Sequence, residues 1–164
     1  KNFESALSRR FKVKNSVVCS SGTSALHLIY NSLGLNEKNG LLTTPITFLS
    51  TANAARMCNA PVIFADVDST TGNIDIQSVE RCLTNRTRGV IPVHMAGIAC
   101  DMDWLVKFCT EHDLFLIEDC AHALGTTYKG RHVGSFGLTG CFSFKLGRDI
   151  LSETPCGLYF PFGR

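Results

Sequence analysis

Several common features are missing from this chain of 164 residues, and each absence excludes a class of protein. No apolar run approaches the roughly 20 residues that span a bilayer, so no membrane segment is predicted. Lysine and arginine are scattered and form no basic run, which argues against a nucleic-acid partner. Residues 1–14 are polar and basic and lack the apolar core of a secretory signal. We therefore expect a cytoplasmic protein.

The eight cysteines do not follow the spacing of a zinc centre, because the chain has no C-x-x-C pair. Cys120 and His122 could contribute ligands, but the sequence favours no metal site. Most of the other cysteines lie within apolar patterns, where a free thiol behaves as a small hydrophobic group. They are Cys19, Cys58, Cys82, Cys109 and Cys141. These positions argue against a disulfide framework.

Hydrophobic residues make up 45% of the chain and charged residues 18%, which fits one globular domain with a substantial core. Short apolar runs alternate with helical patterns. Strands are predicted at 16–19, 41–44, 62–65, 89–93, 114–117 and 141–144, and helices at 23–33, about 48–57, after Asp75 and from Asp101 to Glu111. Repeated strand–helix–strand units use right-handed crossovers. The fold class predicted is therefore α/β, with three α/β/α layers around a mostly parallel sheet.

Residues 146–164 break this alternation. Residues 151–155 and 157–163 show neither period, and their prolines and glycines argue against a regular element. Since an α/β sheet should not stop directly after an inner strand, we expect the chain to be truncated, or to leave its ancestral reading frame, after about Phe144. The apolar residues 158–162 are expected to be exposed.

The segment IEDCAHALGTTYKGRHVGSFGLTGCFSF, at 117–144, carries the strongest functional signal. Asp119 leaves the carboxyl end of a predicted strand, which is where open α/β sheets bind ligands. A carboxylate there can pair with a pyridinium nitrogen and keep it protonated, although a helix cap or a surface acid would explain the same residue. His122 could hydrogen-bond a ring oxygen, but a lone histidine is also often a packed core residue.

Upstream, the loop SSGTS at 20–24 lies where a strand passes into a helix. Gly22 would let the backbone approach an anion, and Thr23 could donate its hydroxyl beside the helix N-terminus. A plain N-cap explains the loop about as well. Phe48 could stack on a planar ring or could be a core residue, and Ser143 is a second candidate phosphate donor. The G-x-G-x-x-G fingerprint is absent, which argues against a dinucleotide-binding domain.

Six segments in order resemble the large domain of the DegT/DnrJ/EryC1/StrS sugar aminotransferases, within the fold-type I, aspartate aminotransferase-like enzymes. They read SSGTSALHL, TTPITFLSTANA, PVIFADVDSTTGNID, IPVHMAGIACDMD, IEDCAHALGTTYKGRHVGSFG and GCFSF. The resemblance implies pyridoxal 5'-phosphate (PLP) as cofactor, with phosphate contacts at Gly22, Thr23 and Ser143. It also implies ring stacking at Phe48.

The same resemblance gives the remaining cofactor contacts and the activity. Asp119 would be the partner of the ring nitrogen and His122 would contact a ring oxygen, where the family has Gln or His. The reaction implied moves an amino group from an amino-acid donor to a keto-sugar nucleotide, in amino-sugar or polysaccharide synthesis. Family sites form at a dimer interface, so a homodimer is expected.

One position departs from the family. Its members bind PLP covalently through a lysine five residues beyond the motif serine, and here that position is Arg148. A guanidinium stays charged and is no such nucleophile, so Arg148 could hold an anion but could not move the proton of the transfer. Lys145 is three residues too early to replace it readily.

The resemblance divides the chain into a partial PLP-binding large domain at 1–144 and a divergent tail at 145–164. The family's small carboxy-terminal domain is not matched. Two functions remain open: a PLP-dependent sugar-nucleotide aminotransferase, or an inactive fragment or pseudoenzyme that binds PLP or a partner without turnover.

Overall fold

The computed structural model describes residues 2–144 and 157–159. Arg148 and Lys145, on which the lysine question depends, lie outside the described residues. None of the helices in the described residues has the length and hydropathy of a membrane-spanning segment.

The described residues form nine strands, and seven of them make one sheet in the order β1-β9-β8-β5-β4-β2-β3. The seven are β1 (Val17–Cys19), β2 (Gly40–Thr43), β3 (Val62–Phe64), β4 (Thr87–Ile91), β5 (Phe115–Asp119), β8 (Thr139–Ser143) and β9 (Gly157–Tyr159). Pairing is parallel from β3 to β8, and β9 runs antiparallel to both its neighbours. This topology confirms the mostly parallel sheet that the alternating pattern predicts.

The described residues contain five α-helices and a short 3₁₀ helix at Met95–Gly97. The α-helices are α1 (Asn2–Phe11), α2 (Gly22–Ser32), α3 (Ser50–Met57), α4 (Ile76–Cys82) and α5 (Met102–Glu111). Asp75 and Asp101 cap α4 and α5, as the sequence predicts, by accepting backbone N–H groups of Ser78 and Trp104. A small hairpin of β6 (Thr127–Tyr128) and β7 (Arg131–His132) stands apart from the sheet.

Successive residues of the inner strands point to opposite faces of the sheet and so belong to different hydrophobic clusters. Leu41 packs with α2 and α3, whereas Leu42 packs with α5 on the other face. Ile117 and Leu116 of β5 divide in the same way. Burial on both faces explains why these strands read as continuous apolar runs. The result is the expected three-layer arrangement, with α2 and α3 together on one face.

Strand β9 corrects two expectations about the carboxy-terminal residues. Residues 157–159 form a regular element, and Leu158 is fully buried at 0% exposure instead of being exposed. The other residues of these two expectations, 151–155 and 160–163, lie outside the described residues. Leu158 lies between β1 and β8 and packs with Phe142. Gly157 fits because any side chain there would collide with the backbone oxygen of Ser21, at 2.0 Å from a Cβ. A strand of three residues is too short for a period to show.

Candidate functional site

Asp119 is the last residue of β5, and its carboxylate is almost fully buried at 4% exposure. Its Oδ1 accepts the backbone N–H of Ala121 at 3.1 Å, and its Oδ2 accepts the hydroxyl of Thr51 at 2.8 Å. Burying a charge is costly unless hydrogen bonds replace its water. Two donors from separate elements meet that requirement. The cap and surface-acid interpretations do not describe this residue.

The start of α2 approaches the end of β8 at a position without a side chain. A Cβ on Gly22 would lie 3.1 Å from Cβ of Ser143 and 3.4 Å from its Oγ. Ser21 is the N-cap, because its Oγ accepts the backbone N–H of Ser24 at 3.1 Å. The N-cap alternative therefore holds for Ser21, and the phosphate contacts of Gly22 and Thr23 stay a prediction. Gly22, Ser143 and the first turn of α2 come together at one edge of the sheet.

Two successive residues of α3 connect the start of α2 to Asp119. Oγ1 of Thr23 lies 2.6 Å from Oγ of Ser50, and the next residue, Thr51, donates to Asp119. Tyr30 of α2 donates its hydroxyl to the backbone oxygen of Thr51 at 3.1 Å. The candidate phosphate donor and the buried carboxylate therefore lie on the same side of the sheet, joined by a line of short contacts.

Burial and the neighbouring Asp119 both shift the pKa values of two groups near this carboxylate. Burial, and next the negative charge of Asp119, raise the pKa of the Tyr30 hydroxyl well above its usual value. The same two causes, in the same order, raise the pKa of the Cys141 thiol. Both groups stay protonated and act as donors: Sγ of Cys141 lies 3.5 Å from the backbone oxygen of Gly22. The buried carboxylate of Asp119 therefore lies near two groups that keep their protons and donate them to backbone oxygens.

Phe48 and His122 occupy the loops beside this centre. Phe48 precedes α3 and is 53% exposed, so the alternative of a core residue does not hold. Its backbone oxygen accepts the N–H of Thr51 at 3.1 Å, which places it on the loop that carries Thr51. His122 is partly buried in the loop after β5, where a Cβ on Gly97 would lie 3.5 Å from its backbone oxygen.

Glu118, the other half of the acidic pair, points to the opposite face and has a structural role. Its side chain is fully buried and accepts three backbone N–H groups at 2.7 Å each, from Gly134, Phe136 and Gly137. His94 is the fourth group around this carboxylate, with its Nε2 3.3 Å from Oε2 of Glu118. Because Nδ1 of His94 accepts the N–H of Cys100 at 3.1 Å, the ring proton is on Nε2 and the imidazole is neutral.

This arrangement predicts a large stability loss for Glu118→Gln. An amide must turn its NH₂ toward at least one of the N–H donors, leaving buried groups unpaired, so we expect unfolding to become easier by about 2 kcal/mol. Urea unfolding followed by circular dichroism measures it. Glu111→Gln is the matched control, since it changes an exposed pair with Lys107 at 3.8 Å and should cost under about 0.5 kcal/mol. Equal losses in the two variants would contradict the role of Glu118.

His94, Glu118 and Cys120 form a cluster whose potential ligand atoms lie within 4.8 Å of one another. His122, the partner suggested by sequence, is not part of it. Burial, followed by the charge of Glu118, raises the pKa of the Cys120 thiol well above its usual value, whereas metal ligation needs the thiolate. The hydrogen bonds of Glu118 and His94 already account for these groups.

Sequence reasoning missed three residues of the centre: Tyr30, Ser50 and Thr51. A signal existed for the last two, because hydroxyl residues cluster in TTPITFLST just before and at the start of α3. Their partners, Thr23 and Asp119, lie 27 and 68 residues away, so no local pattern reveals the contacts.

The class follows from a mostly parallel sheet with a buried carboxylate at its carboxyl edge, joined through α3 to the first turn of α2, in a fold that superposes on solved aminotransferases. The chain belongs to the DegT/DnrJ/EryC1/StrS aminotransferase family, whose model matches residues 1–153.

Individual relatives agree with this assignment. The chain is 41% identical over 148 residues to the spore coat polysaccharide biosynthesis protein SpsC of Bacillus subtilis, covering 90% of this chain and 38% of that protein. It is 39% identical to a UDP-N-acetyl-3-dehydro-alpha-D-glucosamine 3-aminotransferase of Acidithiobacillus ferrooxidans, over 84% of this chain and 37% of that protein. Among solved structures, an aminotransferase from Psychrobacter cryohalolentis superposes with a TM-score of 0.95 at 34% identity, over 99% of this chain and 41% of that one. The chain therefore spans about two fifths of the length of these relatives.

Proposed function

We propose that this chain forms the cofactor-binding part of a PLP-dependent sugar-nucleotide aminotransferase. The observation that carries the proposal is the line of contacts from Thr23 through Ser50 and Thr51 to Asp119. It joins an anion-binding helix start to a buried carboxylate. A phosphorylated pyridine needs those two partners at its two ends.

The residues around the start of α2 suit a phosphate. The first turn of α2 contains no acidic side chain, so nothing opposes the positive end of the helix dipole. A Cβ on Gly22 would lie 3.4 Å from Oγ of Ser143, and Thr23 is the next residue of the same turn. We assign the phosphate to Gly22, Thr23 and Ser143.

The residues after β5 and β2 suit the ring. The carboxylate of Asp119 would accept a hydrogen bond from the ring N–H and keep that nitrogen protonated. Phe48, half exposed on its loop, would cover one face of the ring, and His122 would contact the ring oxygen. The cofactor, when bound, supplies an electron sink and carries the amino group. Excluding water and holding the ring proton are the tasks of this chain's side chains.

The substrate class follows from the family and from the relatives. A 3-dehydro sugar nucleotide is the substrate named for one relative, and polysaccharide synthesis is named for another. We therefore infer a keto-sugar nucleotide as acceptor and an amino acid as donor, in a cytoplasmic homodimer.

A second function is favoured by one residue of the sequence. Arg148 stands at the family's lysine position. With an arginine there, the chain would bind PLP without covalent attachment and without turnover. Both functions require the same cofactor site, so binding and attachment have to be measured separately.

Binding is tested with 4'-deoxypyridoxine 5'-phosphate, which lacks the aldehyde and so reports on the site independently of any lysine. We expect saturable binding by the 164-residue chain, measured by calorimetry. The dephosphorylated ligand should bind at least about tenfold more weakly, because it loses charge-assisted hydrogen bonds. Equal affinity for both ligands, or no saturation with either, would refute the assigned site.

A further inference from the structure

Behind Asp119 lies a short chain of hydroxyl groups. Oγ1 of Thr51 is 2.8 Å from Oδ2 of Asp119 and 2.8 Å from Oγ1 of Thr47. It also lies 3.1 Å from the backbone oxygen of Phe48. Thr51 is buried, as is Asp119. The contact between them is therefore shielded from water.

The number of hydroxyl protons fixes the donor and the acceptor in each of these hydrogen bonds. Thr51 has one hydroxyl proton, and a carboxylate is a stronger acceptor than a backbone carbonyl, at a shorter distance here. The hydroxyl of Thr51 therefore donates its hydrogen bond to the carboxylate of Asp119. Thr47 must then donate to Thr51, since the oxygen of Thr51 has no second proton to offer. Two hydroxyls thus point in sequence toward the carboxylate.

The two oxygens of Asp119 are held by different parts of the fold. Ala121 belongs to the loop that follows β5, while Thr51 belongs to α3. The terminal torsion of an aspartate is otherwise broad, so one bond alone would leave the carboxylate free to rotate. The second bond fixes its plane, and with it the direction of the lone pairs left for a ligand.

Thr51 is itself held in place from α2. Its backbone oxygen accepts the hydroxyl of the fully buried Tyr30, and the adjacent Ser50 contacts Thr23. The helix whose N-terminus would bind the phosphate therefore also fixes the residue that orients the carboxylate. Helix α2 therefore supports both the phosphate end and the ring-nitrogen end of the proposed site.

We propose that Thr51, backed by Thr47, is a positioning residue that fixes the orientation of the Asp119 carboxylate toward the ring nitrogen. This inference deepens the proposed function and rests on it. Thr51 acts through Asp119 and need not touch the cofactor.

The test compares Thr51→Val, which removes the hydroxyl at equal volume, with Thr51→Ser, which keeps it. With 4'-deoxypyridoxine 5'-phosphate, Thr51→Val should bind about tenfold more weakly, because a hydrogen bond to a charged group is lost. The bound ring nitrogen should also lose its proton at a lower pH than in the wild type, as read from the absorption spectrum. Thr51→Ser should restore both values to within about twofold.

A matched control separates positioning from a loss of stability. Thr43 is equally buried and donates to the neutral backbone oxygen of Ile91 at 2.8 Å. Thr43→Val should therefore lower the melting temperature in a similar way, yet leave the affinity and the titration of the ring unchanged. If Thr51→Val matches the wild type in both readouts, or if Thr51→Ser is as impaired as Thr51→Val, the proposal is overturned.

Crystal structures of the ligand-free variants provide a readout that needs no cofactor. The Asp119 carboxylate should be rotated or split in Thr51→Val and ordered as in the wild type in Thr51→Ser. An unchanged Asp119 in Thr51→Val would overturn the positioning role even if the chain binds the ligand. If the wild type fails to bind, the proposed function fails, while these structures still decide the role of Thr51.

Discussion

Replacing Arg148 with lysine should create a covalent attachment point for PLP at residue 148. After borohydride reduction, mass spectrometry of Arg148→Lys should show a pyridoxyl group on residue 148, and the wild type should show none there. The reason is chemical: a lysine amine can lose its proton and attack the aldehyde, whereas a guanidinium stays protonated at neutral pH. At residue 148, the expected change is from no adduct to one adduct per chain.

Two controls make this result specific. Asp119→Asn in the Arg148→Lys background should lower labelling, since labelling at low PLP concentration depends on the site that holds the ring. Lys145→Ala in the wild type tests the nearest natural lysine. An adduct on Lys145 of the wild type would contradict the non-catalytic alternative, because the chain would then possess its own attachment point. No adduct on the lysine of Arg148→Lys, with PLP bound, would show that position 148 does not face the cofactor.

The sequence predicted the layered fold because the inner strands are buried on both sides. Their apolar runs, such as 89–93 and 114–117, stand out without any tertiary information, and they overlap β4 and β5 to within two residues at each end. The caps Asp75 and Asp101 could be predicted for a related reason, since a cap bonds a residue only three positions away. Local contacts leave local signals.

Three elements were not predicted from the sequence: strand β9, helix α1 and the β6–β7 hairpin. Strand β9 exists because residues 157–159 pair with β1 and β8, which are distant in sequence. Helix α1 had a signal, because Phe3, Leu7 and Phe11 recur at intervals of four residues, although Phe11 alone of the three is buried. The β6–β7 hairpin also had a sequence signal in Gly130. A two-residue hairpin turn requires positive φ, and both turn residues, Lys129 and Gly130, adopt it.

The candidate site could be predicted in its parts but not in its connections. Asp119 and Gly22 could be proposed as site residues because each ends or begins an element with a recognisable pattern. The role of Glu118 could not be inferred from its neighbour, since adjacent residues of a strand face opposite ways. Only the packed sheet shows that one acid of the pair holds a backbone turn and the other faces α2 and α3.

Removing the charge of Asp119 should have the largest effect on non-covalent binding. Asp119→Asn keeps the volume of the side chain but cannot balance a protonated ring nitrogen, so the ring must bind in its unprotonated form. Losing one partner of a buried charge pair costs about 4 kcal/mol, which corresponds to about a thousandfold weaker binding of 4'-deoxypyridoxine 5'-phosphate at neutral pH. Calorimetry gives the affinity, and the absorption spectrum of the bound ring reports its protonation.

The pH dependence distinguishes this cause from general damage to the site. As pH rises past the point where the free ligand loses its ring proton, the wild type should lose its advantage, because it prefers the protonated ring, and the two affinities should converge. Damage to the fold would keep them apart at every pH. Asp75→Asn is the matched control, since it also removes one carboxylate but keeps a good N-cap on α4. If Asp119→Asn binds as tightly as Asp75→Asn, the buried carboxylate is not the partner of the ring nitrogen. The reason for placing a pyridine at this edge of the sheet would then be lost.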